Sequence, residues 1–295
     1  MNKKGLIILI VFLSAVCVLM TSGFIYLLAN NFVWGSLDFD YEGKLIDSIE
    51  YENDATSLNV DTKSIDVYFE ETAGDKISLE IYSNNKKIDY SFNNENGVIT
   101  LKAYNKINGS IFIGFGAYGK VVVKLPKENK IEEFRIDQKV GDIRIGSFEN
   151  LNGTINNSVG DLRIDALNNA KIDLSTGDIK IKKINKVEIK HSTGDLDIDS
   201  VSELINNSST GDIEIDNVDY KFEITSKTGD VKITNADLKE DSLIDHKTGD
   251  IKIRKVTGVY VEATTNVGDT KINNNDRYLE KTLTIKNKTG DIRIN

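Results

Sequence analysis

The sequence predicts an all-β protein: a parallel β-solenoid (β-helix) ectodomain behind one N-terminal transmembrane helix. Three observations predict it. A charge-free apolar run, Gly5 to Ala29, stands near the N-terminus. A Gly-Asp pair recurs nine times between Gly141 and Asp291. Each pair opens a short segment in which Ile, Leu or Val alternates with polar or charged residues, the mark of a strand with one buried face.

The apolar run comes first in the chain. As a helix it spans roughly 37 Å at ~1.5 Å per residue, enough to cross a ~30 Å hydrocarbon core with some tilt. It has no polar face, unlike a helix packed in a soluble core. It is also longer than the apolar region of a cleavable signal peptide, so an uncleaved signal anchor is preferred. Lys3 and Lys4 precede it, and positive charge stays in the cytoplasm. The expected location is therefore the cell membrane, single-pass, with a short cytoplasmic N-terminus and an extracytoplasmic C-terminal domain. Tyr26, Phe32 and Trp34 cluster at the far end, where aromatic rings suit the lipid–water interface. With so little chain inside, a message to the cytoplasm must pass through a membrane-embedded or envelope protein partner.

The one cysteine, Cys17, lies inside this run. It excludes an internal disulfide and a zinc cluster. Val16 precedes it and the apolar run continues beyond it, which disfavours a lipoprotein. The formal net charge is -9. Setting Lys3 and Lys4 aside leaves 35 basic against 46 acidic groups, about -11 for the rest. That balance excludes a nucleic-acid partner, which needs a basic face. It favours cations or cationic peptides instead.

Residues 1–35 are thus read as stub, anchor and juxtamembrane segment, and 36–130 as an N-terminal β region capping a solenoid of residues 131–295. In the β region, Ile65–Phe69, Lys76–Ile81, Val98–Leu101 and Val121–Pro126 read as strands. The repeat follows. Its Gly-Asp pairs are spaced 19, 17, 17, 17, 18, 20, 19 and 22 residues apart. A second alternating segment follows within each unit, as in Val187–Lys190 and Phe222–Thr225. A unit of this length is too short for a strand–helix–strand crossover and fits one coil, with hairpins as the alternative. The same corner before the same kind of strand favours the coil. Gly tolerates positive φ at the corner, Asp bonds the turn backbone, and the aliphatic residues stack on those of the next coil.

The columns of this stack have chemistry of their own. Three residues before each Gly from Gly160 onward stand Asn157, Leu174, His191, Ser208, Ser226, His246, Thr265 and Asn287. His191 and His246 are separated by two coils, roughly 14 Å, too far to share a metal. They are read as corner side chains bonded to backbone. The Asp column is read as structural, with calcium as the alternative; calcium-binding β-rolls use a Gly-rich nonapeptide, a different pattern. Arg144, Arg163, Lys180, Lys232, Lys252, Lys271 and Arg293 follow two residues on and offset the carboxylates.

Leu58-Asn59-Val60, Ile65-Asp66-Val67, the Val-Val-Lys-Leu-Pro step at 122–126 and the ladder of Thr-Gly-Asp-Ile units occur in that order. Together they resemble the "putative adhesin" β-strand-repeat domains of bacterial envelope proteins, over roughly residues 45–295. The resemblance implies a β-solenoid, a link to envelope-stress systems, and no catalytic residues.

Three features are candidate functional surfaces. The segment 107–119 interleaves four glycines with Phe112, Phe115 and Tyr118. It either contacts lipid or a partner, or packs as a cap. The last unit holds Ile292 and Ile294 and is expected to leave an open strand edge for partner capture or self-association. The acidic face is expected to gather cationic peptides. The outward charges read as alternating along every coil, with no groove of clustered carboxylates, so no catalytic residue, metal or cofactor is assigned. The reading is a non-enzymatic binding or regulatory module of the cell envelope. A structural or adhesive surface protein is the alternative, and a carbohydrate-active β-helix enzyme the second.

Overall fold

A computed structural model describes residues 43–83, 88–105, 119–273 and 276–295. The apolar run 5–29, Cys17 and the Phe112–Tyr118 segment lie outside the described residues. Among those described, all regular structure is β, and no helix is long and apolar enough to cross a membrane.

The strands of the unit Glu42–Asn295 are, in order, β1 (Lys44–Tyr51), β2 (Ser57–Ser64), β3 (Asp66–Thr72), β4 (Ile77–Ser83), β5 (Ile88–Glu95), β6 (Val98–Asn105), β7 (Gly119–Pro126) and β8 (Glu133–Val140). Five long strands follow: β9 (Ile143–Val159), β10 (Leu162–Thr176), β11 (Ile179–Thr193), β12 (Leu196–Thr210) and β13 (Ile213–Thr228). The rest are β14 (Val231–Asp237), β15 (Ser242–Thr248), β16 (Ile251–Thr257), β17 (Tyr260–Val267), β18 (Thr270–Ile272), β19 (Thr282–Thr289) and β20 (Ile292–Ile294).

These strands build a β-solenoid with two walls. Each long strand begins in one wall, bends, and ends in the other. The bend is written in the burial pattern. In β11 the inward residues are Ile179, Ile181, Ile184, Val187, Ile189 and His191. Spacing of two keeps a side chain on the inner face of a flat wall, and spacing of three carries it around a corner. The other corner is the Gly-Asp pair. Between the walls the aliphatic side chains stack in one continuous core.

One wall runs β5, β6, β2, β8, the second halves of β9 to β13, then β15, β19 and β17. The other runs β1, β4, β7, β3, the first halves of β9 to β13, then β14, β16, β20 and β18. Among the described residues all pairings are parallel except β1–β4, β4–β7 and β5–β6. The parallel stack thus reaches back to Ser57, and antiparallel strands close its first end.

The other end departs from sequence order. The last unit in the sequence, β19–β20, does not lie outermost. It is inserted between β15–β16 and β17–β18. Side-chain size gives the physical reason. The inward residues Leu283, Ile285, Ile292 and Ile294 of the inserted coil are large, and all are fully buried at 0%. The outer coil instead points Val261, Ala263, Thr265 and Ile272 inward, and Ala263, Thr265 and Ile272 remain partly exposed. The coil with most apolar bulk takes the place with two neighbours.

Candidate functional surfaces

The Gly-Asp corners form a continuous hydrogen-bonded ladder. The backbone N–H of Asp161 donates to the Asp142 carboxylate at 2.9 Å. The same bond links Asp178 to Asp161, Asp195 to Asp178, and Asp212 to Asp195 at 2.8–2.9 Å. It continues through Asp230, Asp250, Asp291 and finally Asp269. At the other end Asp142 donates to Asp66 at 2.9 Å. Each carboxylate before the terminal Asp269 therefore uses one oxygen to hold the next corner, a structural task. Asp66 was missed in the sequence because Ile65, not Gly, precedes it. Burial raises its carboxyl pKa. At the far end the Asp269 N–H and Arg293 hold the Asp291 carboxyl below its usual range.

The glycines are required twice over. Gly194 has φ +133°, and a Cβ there would sit 2.1 Å from the Gly177 carbonyl oxygen. Successive corners stack backbone on backbone, with no room for a methyl group.

The inward polar column caps these same corners from inside. Asn157 Nδ2 donates to Gly141 O at 3.0 Å, and Asn287 Nδ2 to Gly249 O at 2.9 Å. His191 Nε2 lies 2.7 Å from Gly177 O. Ser226 Oγ lies 2.5 Å from His246 Nδ1, both buried. Corner carbonyls turned into an apolar core thereby gain partners. Among the described residues no group of three or more His, Cys, Asp or Glu could hold a metal ion.

Burial holds the His246 imidazole pKa below its ordinary 6.5. The unfolded chain then takes up this proton first, so the fold loses stability as pH falls through about 6.5. Urea midpoints at pH 7.5 and 5.5 should show this loss. His246→Asn should flatten it, because Asn157 and Asn287 already occupy the same column. An equal slope in the variant would assign the effect elsewhere.

The outward face beside the ladder carries a groove of about 450 Å³. Its inner row is Asp142, Asp161, Asp178, Asp195 and Asp212; its outer row is Arg144, Arg163, Lys180, Asp197 and Glu214. The expectation that charges alternate along every coil fails here. From Asp195 to Asp219 there are eight carboxylates and no Lys or Arg. Asp197 and Glu214 stand where neighbouring coils have a cation. Among the described residues, cations reach these coils from adjoining ones: Lys180 to Asp197 at 2.6 Å, Lys186 to Glu203 at 3.0 Å, and Lys232 to Glu214.

Phe112, Phe115 and Tyr118 lie outside the described residues. Ile292 and Ile294 do not form the open edge expected of them. Both are fully buried, with β16 on one side and β18 on the other. Among the described residues the outermost strands at this end are β17 and β18, a place that sequence order does not reveal.

The two walls, the repeated corner and the ladder define a β-solenoid repeat protein. The chain belongs to the Toastrack DUF4097 family, whose model matches residues 55–202 and again 181–295. No curated protein matches it. Among solved structures it is similar to a "putative adhesin" from Bacteroides fragilis, at 16% identity over 85% of this chain and 97% of that one, TM-score 0.44. It is also similar to a "putative lipid binding protein" from Parabacteroides distasonis, at 14% identity over 84% and 97%, TM-score 0.41. A "putative cell adhesion protein" from Clostridium sporogenes matches at 11% identity over 84% and 97%, TM-score 0.33.

Proposed function

We propose that this chain is a non-enzymatic binding module of the bacterial envelope. Residues 5–29 tether it to the membrane, and its solenoid gathers cationic peptides on the outer side. The acidic coils from Asp195 to Asp219 carry the reading. Eight exposed or half-exposed carboxylates on neighbouring coils, with no cation of their own, attract positive charge at long range. The ladder carboxylates support a scaffold role over catalysis, since all but the terminal Asp269 already hold a backbone N–H. The family resemblance to envelope-stress proteins is consistent with that task.

A Lys-rich peptide titrated against the full chain in detergent should bind at low ionic strength and release as salt rises. The double substitution Asp197→Lys with Glu214→Lys should weaken binding about tenfold, because it reverses two charges at the centre of the patch. Absence of binding at low salt would end this reading.

A further inference from the structure

We infer that the groove beside the corner ladder takes its peptide in one direction, with the lysines on the acidic coils and the C-terminal carboxylate on Arg144 and Arg163. The inference rests on the cationic-peptide reading above and adds an anion-binding pole to the same groove. Both poles line one groove of about 450 Å³. Its outer row is a single register column, Arg144, Arg163, Lys180, Asp197 and Glu214, each residue the Cα partner of the next.

The two ends of this row use their charges differently. Further along the same column, Arg293 folds back onto its own corner carboxylate, Asp291, at 2.9 Å. Arg144 and Arg163 stand in the same relation to Asp142 and Asp161, yet no salt bridge joins them. Among the described residues neither arginine has any carboxylate partner. The Arg144 guanidinium lies over the ring of Tyr68, its neighbour across the strand pair, at 5.0 Å. That contact uses the charge of the guanidinium and leaves its N–H groups for an acceptor. Both arginines are exposed. Neighbouring strands lie about 4.8 Å apart, so the two forks can share one carboxylate. The next cation, Lys180, is committed to Asp197 at 2.6 Å and marks the boundary between the poles.

The charge balance along the groove selects the occupant. At the arginine end, Lys120, Arg144 and Arg163 offset Asp66, Asp142 and Asp161. At the other end, Asp195, Asp197, Asp212 and Glu214 meet two cations, Lys180 and Lys232. The groove therefore runs from balanced to acidic. Lysines are drawn to the acidic end at long range, and a carboxylate is repelled there. At the balanced end a carboxylate gains two forked donors. A ligand carrying both charges aligns itself by that difference. From the middle of the arginine pair to the middle of Asp197 and Glu214 is three strand steps, about 14 Å. An extended peptide covers this in about four residues. The occupant is thus a peptide whose lysines stand about that far before a free C-terminus.

Two N-acetylated peptides of one composition test this against the full chain in detergent at low ionic strength: Lys-Lys-Gly-Ser-Gly-Ser and Gly-Ser-Gly-Ser-Lys-Lys. Each is made with a C-terminal acid and with an amide. A free carboxylate lowers the positive charge of the peptide, so attraction to the acidic coils alone favours the amide in both. The wild type should instead bind Lys-Lys-Gly-Ser-Gly-Ser about threefold to fivefold more tightly as the acid, the range of an exposed ion pair. It should bind Gly-Ser-Gly-Ser-Lys-Lys more tightly as the amide. Arg144→Gln with Arg163→Gln should abolish the acid preference and leave affinity for the amides within about twofold. For Lys-Lys-Gly-Ser-Gly-Ser, equal binding of acid and amide, tighter binding of the amide, or an acid preference that survives the double substitution overturns the inference and leaves the peptide reading standing. Failure of all four peptides to bind the wild type removes that reading, and this one with it.

Discussion

Gly194→Ala should lower the melting temperature by about 10 °C. A Cβ at this corner would meet the Gly177 carbonyl oxygen at 2.1 Å and its carbon at 2.6 Å. Both are backbone atoms of a coil held by parallel pairing on each side, so neither can move alone. Strain at positive φ and overpacking each cost about 1–3 kcal/mol, together about 3–4 kcal/mol or more. For a unit of this size, each kcal/mol shifts the melting temperature by about 2–4 °C. Gly97 is the natural comparison. It also has positive φ, +77°, but a Cβ there would find nothing nearer than 3.7 Å. Gly97→Ala should therefore cost only the conformational strain, about 1 kcal/mol. Equal losses at both positions would mean that φ alone, not corner stacking, sets the requirement.

Deletion of residues 282–295 should have the second large effect, and it should reach beyond the residues removed. Removing an outermost coil costs one interface. Removing β19–β20 costs two, because β15–β16 lie on one side and β17–β18 on the other. Four fully buried aliphatic side chains leave, Leu283, Ile285, Ile292 and Ile294. At about 1.5–3 kcal/mol each, that is roughly 6–12 kcal/mol of burial. Strands β17 and β18 then lose every pairing they have among the described residues. Amide exchange of 260–272 should rise to that of an unfolded segment, while β9 to β12 stay protected, since a stack of coils fails locally. Persistent protection of 260–267 in the truncated chain would show that this segment packs directly on β15.

Much of this architecture is legible in the residues, for identifiable reasons. Ile179-Lys-Ile181 gives a wall by alternation, and the wider Ile181, Ile184, Val187 spacing gives the bend. Gly194-Asp195 gives the other corner, because only Gly fits and Asp supplies an acceptor. The inward column of Asn157, His191 and Asn287 is readable by its fixed distance from Gly. The acidic coils were equally open to view, since Asp197 and Glu214 replace cations in a column otherwise basic from Arg144 to Arg293. Asp66 was hidden because Ile65 stands at the corner in place of Gly.

The order of coils at the far end was hidden for a deeper reason. A parallel edge offers the same backbone groups whichever unit it belongs to, so pairing pattern carries no address. Only the bulk of the inward side chains tells one coil from another, and Ala263 and Thr265 against Ile285 and Asn287 is a faint signal. The wide 22-residue spacing between Gly268 and Gly290 marks the extra chain needed to double back. The consequence for the candidate surface is direct: Ile292 and Ile294 move from an expected edge to the core, and β17 and β18 take the outermost place among the described strands.

Cysteine pairs test the stacking order most directly, in a chain whose only native cysteine, Cys17, is replaced by Ser. Asp245 and Lys286 are Cα partners across β15 and β19, and Lys286 and Thr264 are partners across β19 and β17. Neighbouring strands lie about 4.8 Å apart, within disulfide reach, and strands two apart lie near 9.6 Å, beyond it. Asp245→Cys with Lys286→Cys should therefore oxidise readily to an intramolecular disulfide. Asp245→Cys with Thr264→Cys should stay reduced. The reverse pattern would place β17 against β15 in plain sequence order and contradict the inserted coil.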